Sequence, residues 1–397
     1  MPRHAHIEVD PAAISANVRA ICARVGDAQV CAVVKADGYG HGSVLAARAA
    51  LAGGATWLAV ALAEEGQVLR DAGIDAPVLV LSEPPADVMI ETLTARLTPT
   101  LYTATGIEAA CVAVRSAGNG VPWGVHLKVD TGMHRAGVDV DSALEVARMI
   151  ASAPELKLDG TFTHFAVADE PDRPETTEQL ARFNRVIHDL ESEGINPGIR
   201  HVSNSAGALR LAEARLDMVR VGIAMYGYSP FGPTSPEQKF LTPALSLRSE
   251  VSLTRRLSAG EGVSYGLKYL LKDDATVAVV PLGYADGIDR RLGMVGGVVL
   301  IDGVRHPIRG VVTMDQLIVE VTDGADVARG DEVVLLGVQD SARITADDWA
   351  TLLGTIPYEV LCRFSARVRR VVNVEAVGDQ TGARSPLAVD SAGGRRG

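Results

Sequence analysis

Ala32-Val33-Val34-Lys35-Ala36-Asp37-Gly38-Tyr39-Gly40-His41-Gly42 is the stretch that decides the fold, because an apolar run ends there in a lysine and glycines follow at once. Such a run is typical of a buried strand in a parallel sheet, and the glycines allow a sharp turn or a close approach to a ligand. The lysine has two interpretations. It can reach solvent from the strand end, or burial can lower its pKa so that the free amine attacks a carbonyl group.

Short apolar runs alternate with Ala- and Leu-rich helical stretches along the first part of the chain. Eight candidate strands follow one another in this way, at residues 30–35, 57–62, 78–81, 97–102, 125–129, 158–165, 199–203 and 218–222. Eight is the count that a (β/α)8 TIM-like barrel requires, and a doubly wound open sheet is the competing architecture. Barrel chemistry lies at the carboxyl ends of the strands, where the sequence places Lys35, Lys128, Asp130, Arg135, His164, Asn204, Ser205 and Arg220.

The pattern changes from about Phe240 onward, where β-rich runs joined by Gly and Asp turns replace the helical periodicity. These runs are 277–282, 298–301, 317–321 and 332–336, and a single helix over 346–353 is capped by Thr345 with Asp348. We therefore predict an α/β protein with a barrel over 10–235 and a mainly β C-terminal domain over 236–378. Residues 1–9 form an N-terminal segment that can join the β domain, residues 230–243 a linker, and residues 379–397 a disordered tail.

Composition excludes several classes of protein. The chain has 397 residues, of which 47% are hydrophobic and 22% charged, and no apolar stretch reaches the length of a membrane span. The net charge of −11 disfavours binding to nucleic acid. Four dispersed cysteines without a CxxC pair argue against a disulfide framework and a zinc site. The N-terminus lacks an apolar signal segment, which predicts a cytoplasmic location.

The opening stretch closely resembles the cofactor-lysine signature of alanine racemases, which are pyridoxal 5'-phosphate (PLP) enzymes built from a barrel and a β domain. Other stretches resemble the same family in the same order along the chain, at 126–135, 163–170, 204–206, 219–227, 262–266, 282–287, 313–315 and 358–360. The resemblance implies interconversion of L- and D-alanine by a two-base mechanism, with D-alanine supplied for peptidoglycan. It also implies a homodimer with composite active sites and no metal.

Four residues match catalytic positions of the family. Lys35 should hold PLP and act as the base on one face of the substrate, and Tyr265 should be the base on the other face. His164 is expected between Tyr265 and Arg220, where it lowers the pKa of the phenol. Arg220 should face the pyridine nitrogen, and because a guanidinium keeps its proton, this pairing favours racemisation over transamination.

The remaining matches concern binding. The resemblance implies that PLP is bound by Lys35 and Arg220 together with Tyr39, Asn204, Ser205, Gly222, Ile223 and Tyr358. It assigns the substrate carboxylate to Arg135 and to the backbone N–H of Met314, and it places Tyr284 and Asp315 at the entrance and floor of a narrow pocket. Lys128 matches a position that is often carbamylated, where the modified side chain orients the arginine.

Simpler interpretations stay open at this point. Arg220 could be an ion-pair residue at a strand end, Tyr265 a packing residue, Asn204-Ser205 an ordinary turn, and Lys128 the partner of Asp130 in a surface pair. The rival functions are a serine or broad-specificity racemase or a decarboxylase of the same architecture, and a non-catalytic PLP-binding barrel protein. His134 and Thr313 depart from the residues that are common in the family.

Overall fold

The computed structural model describes residues 4–118, 120–322 and 324–372, so the predicted tail 379–397 lies outside the described residues. The strands up to residue 221 are β1 (His6–Val9), β2 (Gln29–Val33), β3 (Trp57–Val60), β4 (Val78–Val80), β5 (Thr98–Leu101), β6 (Trp123–Asp130), β7 (Val138–Asp139), β8 (Leu156–Phe162), β9 (Ile199–His201) and β10 (Met218–Val221). The helices are α1 (Pro11–Val25), α2 (Lys35–Tyr39), α3 (Ser43–Ala52), α4 (Ala63–Asp71), α5 (Met89–Thr94), α6 (Ala104–Ala117), α7 (Ala143–Ser152), α8 (Glu175–Ser192), α9 (Ser205–Arg210), α10 (Ala346–Leu353) and α11 (Pro357–Cys362).

Eight parallel strands form the barrel in the order β10-β2-β3-β4-β5-β6-β8-β9, and the short strand β7 pairs with β6. Two backbone hydrogen bonds link the ends of the β9 and β10 segments, from Asp217 N to Arg200 O at 3.1 Å and from Arg220 N to Ser203 O at 3.0 Å. The sheet is therefore a nearly closed barrel, and the prediction of a (β/α)8 barrel is confirmed. A doubly wound open sheet is excluded, because it would leave β9 and β10 as unpaired edges.

Helix α1 begins at Pro11, directly after its capping residue Asp10. The Asp10 carboxylate accepts a hydrogen bond from Ala13 N at 3.0 Å, and Pro11 occupies the first turn, where a missing N–H costs nothing. Ile14, Val18 and Ile21 lie on one face of the helix and are fully buried. This burial anchors the helix against the barrel just before the strand that carries Lys35.

The β domain follows. Its strands are β11 (Leu245–Glu250), β12 (Leu253–Leu257), β13 (Gly262–Val263), β14 (Tyr269–Leu270), β15 (Ala275–Val280), β16 (Val298–Ile301), β17 (Val304–Arg309), β18 (Leu317–Glu320), β19 (Glu332–Gln339), β20 (Ala342–Ile344) and β21 (Arg369–Val372). The main sheet runs β12-β15-β18-β17-β16-β19-β11-β1-β21. The N-terminal strand β1 thus pairs with β11 and β21.

Two features of the β domain differ from the sequence analysis. Helix α10 has the predicted capping box, in which Thr345 N donates to Asp348 Oδ2 at 2.7 Å, but a second helix, α11, also interrupts the sheet, so the prediction of a single helix is wrong. Strands such as β12 and β17 escaped the sequence analysis because their Arg-rich sequences, LTRRL and VRHPIR, lack a continuous apolar run. No helix in the described part of the chain is long and apolar enough to span a membrane.

The connection between barrel and β domain is an ordered segment. Within the predicted linker 230–243, the Gln238 side chain donates to the carbonyls of Gly227 and Leu241 at 2.8 and 3.1 Å. Buried apolar side chains of both parts form one continuous core, which includes Val219 of the barrel and Val299 of the main sheet. The β domain is therefore packed against the barrel, and α11 lies near the mouth that carries Lys35.

Candidate active site

A cavity of about 670 Å³ opens at the carboxyl ends of the barrel strands. Eleven of the predicted site residues line it: Lys35, Tyr39, Lys128, Arg135, His164, Asn204, Ser205, Arg220, Gly222, Ile223 and Tyr358. These residues come from five barrel strands or the loops after them and from α11. The barrel thus gathers side chains that are up to 323 positions apart in the sequence, from Lys35 to Tyr358.

The segment α2 is not a regular helix, because the residues after Lys35 form an unusual turn. Ala36, Asp37, Gly38 and Tyr39 all have left-handed backbone angles, with φ of 53°, 50°, 62° and 54°. A left-handed conformation costs roughly 1–2 kcal/mol for each residue that has a Cβ, so surrounding contacts must hold the turn. One contact is the Asp37 carboxylate, which accepts from Ser43 N at 2.9 Å. The turn directs the Tyr39 ring back toward the cavity.

Lys35 sits in an environment that disfavours its charge. Burial lowers the pKa of its amine, and the guanidinium of Arg135 lowers it further, while Glu65 opposes this shift. The amine makes no hydrogen bond or ion pair with any described residue, and it faces the cavity. A lysine with a depressed pKa and a free approach is suited to attack a carbonyl carbon.

Arg220 is buried, with 3% of its surface exposed, and its hydrogen-bond acceptors are neutral. Its guanidinium donates to the carbonyls of Thr163, His201 and Val202 at 2.8, 2.9 and 3.2 Å, and to His164 Nδ1 at 3.1 Å. Burial lowers the pKa of Arg220 to about 10, so it remains a cation near pH 7. The ion pair considered from the sequence is absent among the described residues, where no carboxylate contacts Arg220.

Arg220 also fixes the protons of three histidines. It donates to His201 Nδ1 at 2.9 Å, so the proton of that ring lies on Nε2, which donates to His126 Nδ1 at 2.9 Å. In the same way, His164 Nδ1 accepts a hydrogen bond from Arg220, so the proton of the His164 ring lies on Nε2. Burial and the positive charge of Arg220 lower the pKa of His164 and His201 well below the usual value. The three rings are therefore neutral, and His164 has a free Nε2–H donor.

Several donors in the cavity lack acceptors among the described residues. The hydroxyls of Tyr39 and Tyr358 make no hydrogen bond there, their ring centroids are 6.1 Å apart, and burial raises the pKa of both. Ser205 Oγ accepts from Gly222 N at 3.0 Å, which leaves its own proton free to donate. A Cβ on Gly222 would lie 2.5 Å from the Tyr39 hydroxyl, so this close approach requires glycine.

Lys128 is buried, and its amine donates to Leu81 O at 3.2 Å rather than to Asp130. Asp130 instead accepts from the amides of Gly132 and Met133, at 2.9 and 3.0 Å. Burial and the nearby charges of Arg220 and Arg135 lower the pKa of Lys128 to about 8. The structure therefore does not contain the surface pair between Lys128 and Asp130 that the sequence left open.

Four predicted residues lie outside this cavity, all of them in the β domain: Tyr265, Tyr284, Met314 and Asp315. The Tyr265, Tyr284 and Met314 residues are 70%, 41% and 52% exposed. Their loops are joined, since Tyr284 N donates to Thr313 O at 2.9 Å and the Ser264 hydroxyl donates to Val311 O. We call these four residues the β-domain face. In a single chain the β-domain face does not line the cavity that holds Lys35.

Some lining residues escaped the sequence analysis. Cys362 lines the cavity and is exposed, and the sequence analysis assigned it no role in the site. Phe162 forms part of the wall, and the Arg220 guanidinium lies 5.1 Å from its ring centroid. His201 contacts Arg220 but does not line the cavity, and it could have been noticed because it is a polar residue at the end of β9. No comparable signal marks Cys362. Its place in the cavity wall depends on how α11 packs against the barrel.

Comparison with known proteins gives consistent results over almost the whole chain. The family models described as the N-terminal and C-terminal domains of alanine racemase match residues 9–230 and 244–372. The alanine racemase of Frankia casuarinae is 43% identical over 366 residues, covering 91% of this chain and 94% of that protein. The alanine racemase of Thermobifida fusca is 42% identical over 375 residues, covering 94% and 98%.

Solved structures agree with the sequence comparisons. The crystal structure of alanine racemase from E. faecalis superposes with a TM-score of 0.88 at 40% identity, covering 94% of this chain and 98% of that one. The enzyme of Bacillus anthracis with bound L-Ala-P superposes with a TM-score of 0.85 at 36% identity, covering 94% and 96%. The chain belongs to the alanine racemase family of isomerases.

Proposed function

We propose that this protein is a PLP-dependent alanine racemase that interconverts L- and D-alanine by proton exchange at Cα. The observation that carries the proposal is the convergence of the Lys35 amine, the Arg220 guanidinium and a group of unpaired donors on one cavity. The product D-alanine would supply peptidoglycan synthesis, as expected for the family. The four free cysteines suit a reducing compartment and support a cytoplasmic location.

The cavity residues fit PLP in three respects. The Nε–H of Arg220 makes no hydrogen bond within the described chain, although the side chain is buried, so it offers a donor to the pyridine nitrogen. The hydroxyls of Tyr39, Ser205 and Tyr358 and the N–H of Ile223 lack described acceptors and suit a phosphate group. The Lys35 amine would hold the aldehyde carbon. Asn204 supports the phosphate end as the cap of α9, where its side chain accepts from Ala206 N at 3.0 Å.

When bound, PLP supplies an electron sink that acidifies the Cα–H of an attached amino acid. The chain's own residues decide where the proton goes. Lys35, once free, can take or return the proton on the side of Cα that faces β2. Arg220 can only donate a hydrogen bond, so it disfavours a proton on the pyridine nitrogen and favours return of the proton to Cα.

Racemisation also needs an acid/base group on the opposite side of Cα, and we assign this role to Tyr265. In one chain Tyr265 is 70% exposed and outside the cavity. We therefore infer a homodimer in which the β-domain face of one copy completes the cavity of the other. The neutral His164 would donate from Nε2 to the phenolate oxygen, which lowers the pKa of the phenol.

One cavity cation, Arg135, is available for the substrate carboxylate. Arg135 is exposed, makes no described hydrogen bond and lines the cavity, so its guanidinium is free to bind both carboxylate oxygens. The N–H of Met314 from the second copy would add a donor, and Tyr284 and Asp315 would narrow the entrance. Lys128 remains a proposed carbamylation site, because its depressed pKa leaves much of the amine neutral near pH 8.

The test combines spectroscopy with a chiral assay. Purified protein with PLP should absorb in the visible region and convert L-alanine to D-alanine, with slower turnover of L-serine and none of L-lysine. Faster turnover of L-serine would favour the serine or broad-specificity racemase. Release of CO2 from L-lysine would indicate a decarboxylase, and bound PLP without turnover of any amino acid would indicate a non-catalytic binding protein.

A further inference from the structure

The carboxylate of Glu65 joins two loops at the mouth of the barrel. Glu65 lies in the first turn of α4, and its oxygens accept hydrogen bonds from Ala36 N at 2.7 Å, Ala61 N at 2.8 Å and Leu62 N at 3.2 Å. Ala36 directly follows Lys35, and Ala61 directly follows β3. Both alanines line the cavity. A single side chain therefore ties the end of the lysine strand to the loop of its neighbour.

Only part of this arrangement is an ordinary helix cap. An acid at the third helical position that accepts from the N-cap amide, here Leu62 N, occurs at many helix starts. The bond to Ala36 N has a different character, because it spans 29 positions and reaches the first residue of the left-handed turn. A hydrogen bond to an ionised acceptor is about twice as strong as a neutral one. It is thus suited to hold a turn that the backbone disfavours.

Glu65 also acts on the lysine through its charge. Burial and Arg135 disfavour the protonated amine of Lys35, and Glu65 is the strongest influence in the opposite direction. Its carboxylate is held by three amides, so its negative charge keeps one position beside the residue that follows Lys35. Glu65 is therefore coupled to Lys35 both through the backbone and electrostatically.

We propose that Glu65 is a positioning residue for Lys35, which holds the turn after the lysine and sets the direction and protonation of its amine. This inference rests on the proposed function, because it assumes that Lys35 is the cofactor lysine. Glu65 does not line the cavity and needs no contact with cofactor or substrate.

The chain offers a matched control in Glu83. Its oxygens accept from Tyr102 N at 2.6 Å, from Thr103 N at 2.9 Å and from Thr103 Oγ1 at 2.5 Å. It ties the loop after β4 to the loop after β5, just as Glu65 ties the loops after β2 and β3. Glu83 is not among the groups that shift the pKa of Lys35. A purely structural role would therefore give the two glutamates the same phenotype.

The experiment compares Glu65→Gln, Glu65→Asp and Glu83→Gln in the full chain. After removal of PLP, the Lys35 amine is labelled with acetic anhydride over a range of pH, and its titration midpoint is read from the labelled peptide by mass spectrometry. PLP is then restored, and its dissociation rate is measured by absorbance. Thermal unfolding of each variant reports whether the fold is retained.

We expect Glu65→Gln to lower the titration midpoint of Lys35 and to speed PLP dissociation about tenfold, the scale of one charge-assisted hydrogen bond. Glu65→Asp keeps the charge but shortens the reach, so dissociation should be faster while the midpoint stays closer to wild type. Glu83→Gln should leave both quantities unchanged. If Glu65→Asp restores the titration midpoint of Lys35 but not the PLP dissociation rate, the effect of the charge is distinguished from the effect of the hydrogen-bond geometry.

Equal midpoints and equal dissociation rates for Glu65→Gln and Glu83→Gln would overturn the proposal and leave Glu65 as a helix cap. Failure of both Glu65 variants to fold, while Glu83→Gln folds, would also overturn it in favour of a role in folding alone. If the wild-type Lys35 binds no PLP, the proposed function fails. The labelling midpoints would still report whether Glu65 acts on Lys35, so the two failures are distinguishable.

Discussion

The composite active site can be tested by mixing two inactive variants. Lys35→Ala removes the amine from the barrel cavity, and Tyr265→Phe removes the hydroxyl from the β-domain face, which lies outside that cavity in the same chain. Each homodimer should therefore be inactive as a racemase, because it lacks the acid/base group on one side of Cα. In a mixed two-fold dimer, one site would carry both defects and the other site would carry none.

The size of the recovery follows from this geometry. Random assortment of equal amounts gives mixed dimers in about half of the population, and each has one intact site of two, so activity per chain should return to about a quarter of wild type. Dimers purified through two different affinity tags, one on each variant, should show about half of wild-type activity per dimer. The assay is D-alanine formation after refolding of the mixed chains.

A second mixture serves as the control. Arg135→Ala and Lys35→Ala both damage the cavity of one chain, so their mixed dimers should contain no intact site and show no recovery. The composite-site reasoning is refuted if mixed dimers of Lys35→Ala and Tyr265→Phe are demonstrably present and their activity does not exceed the sum of the two homodimers. Lys35 and Tyr265 of each site would then belong to the same chain.

Four further predictions concern the cavity. Lys35→Ala should abolish both the visible absorbance of bound PLP and racemisation; an unchanged spectrum would mean that another lysine holds the cofactor. Arg220→Glu should raise the ratio of pyruvate to D-alanine formed from L-alanine, since a carboxylate favours a protonated pyridine, and an unchanged ratio would contradict this role. Gly222→Ala should weaken PLP binding about tenfold in a fluorescence titration, because its Cβ would lie 2.5 Å from the Tyr39 hydroxyl. Lys128, with a pKa of about 8, should take up 13C-bicarbonate as a carbamate more readily as pH rises through 8, and Lys128→Arg should abolish the NMR signal.

Much of the barrel could be predicted from the sequence because its strands and helices are local patterns. Each parallel strand is a short apolar run, each helix has its own periodicity, and the cap at Asp10 involves neighbours only. The β domain was harder to predict, since strands such as β17 keep polar residues on one face, and β1 pairs with β11 and β21, which are remote in the chain. The second helix, α11, is only six residues long and has little periodicity to recognise.

The site residues were found by a different route. Ten of them lie together in the cavity, beside Tyr358 of α11, because the family motifs mark barrel strand ends and a barrel brings all its strand ends to one mouth. The motifs carried no information on His201, whose importance comes from the bond that Arg220 donates to its Nδ1. The motifs also gave no information on Glu65, which accepts a hydrogen bond from the amide of Ala36, 29 positions away.

The sequence by itself determined the order of elements, the lysine at the end of β2 and the kinds of side chain available for chemistry. Only the tertiary structure decided the left-handed turn after Lys35, the neutral acceptors around Arg220 and the separation of Tyr265 from the cavity. The physical reason is that periodicity depends on neighbouring residues. The protonation and direction of a side chain depend on burial and on hydrogen bonds to residues that are remote in the chain.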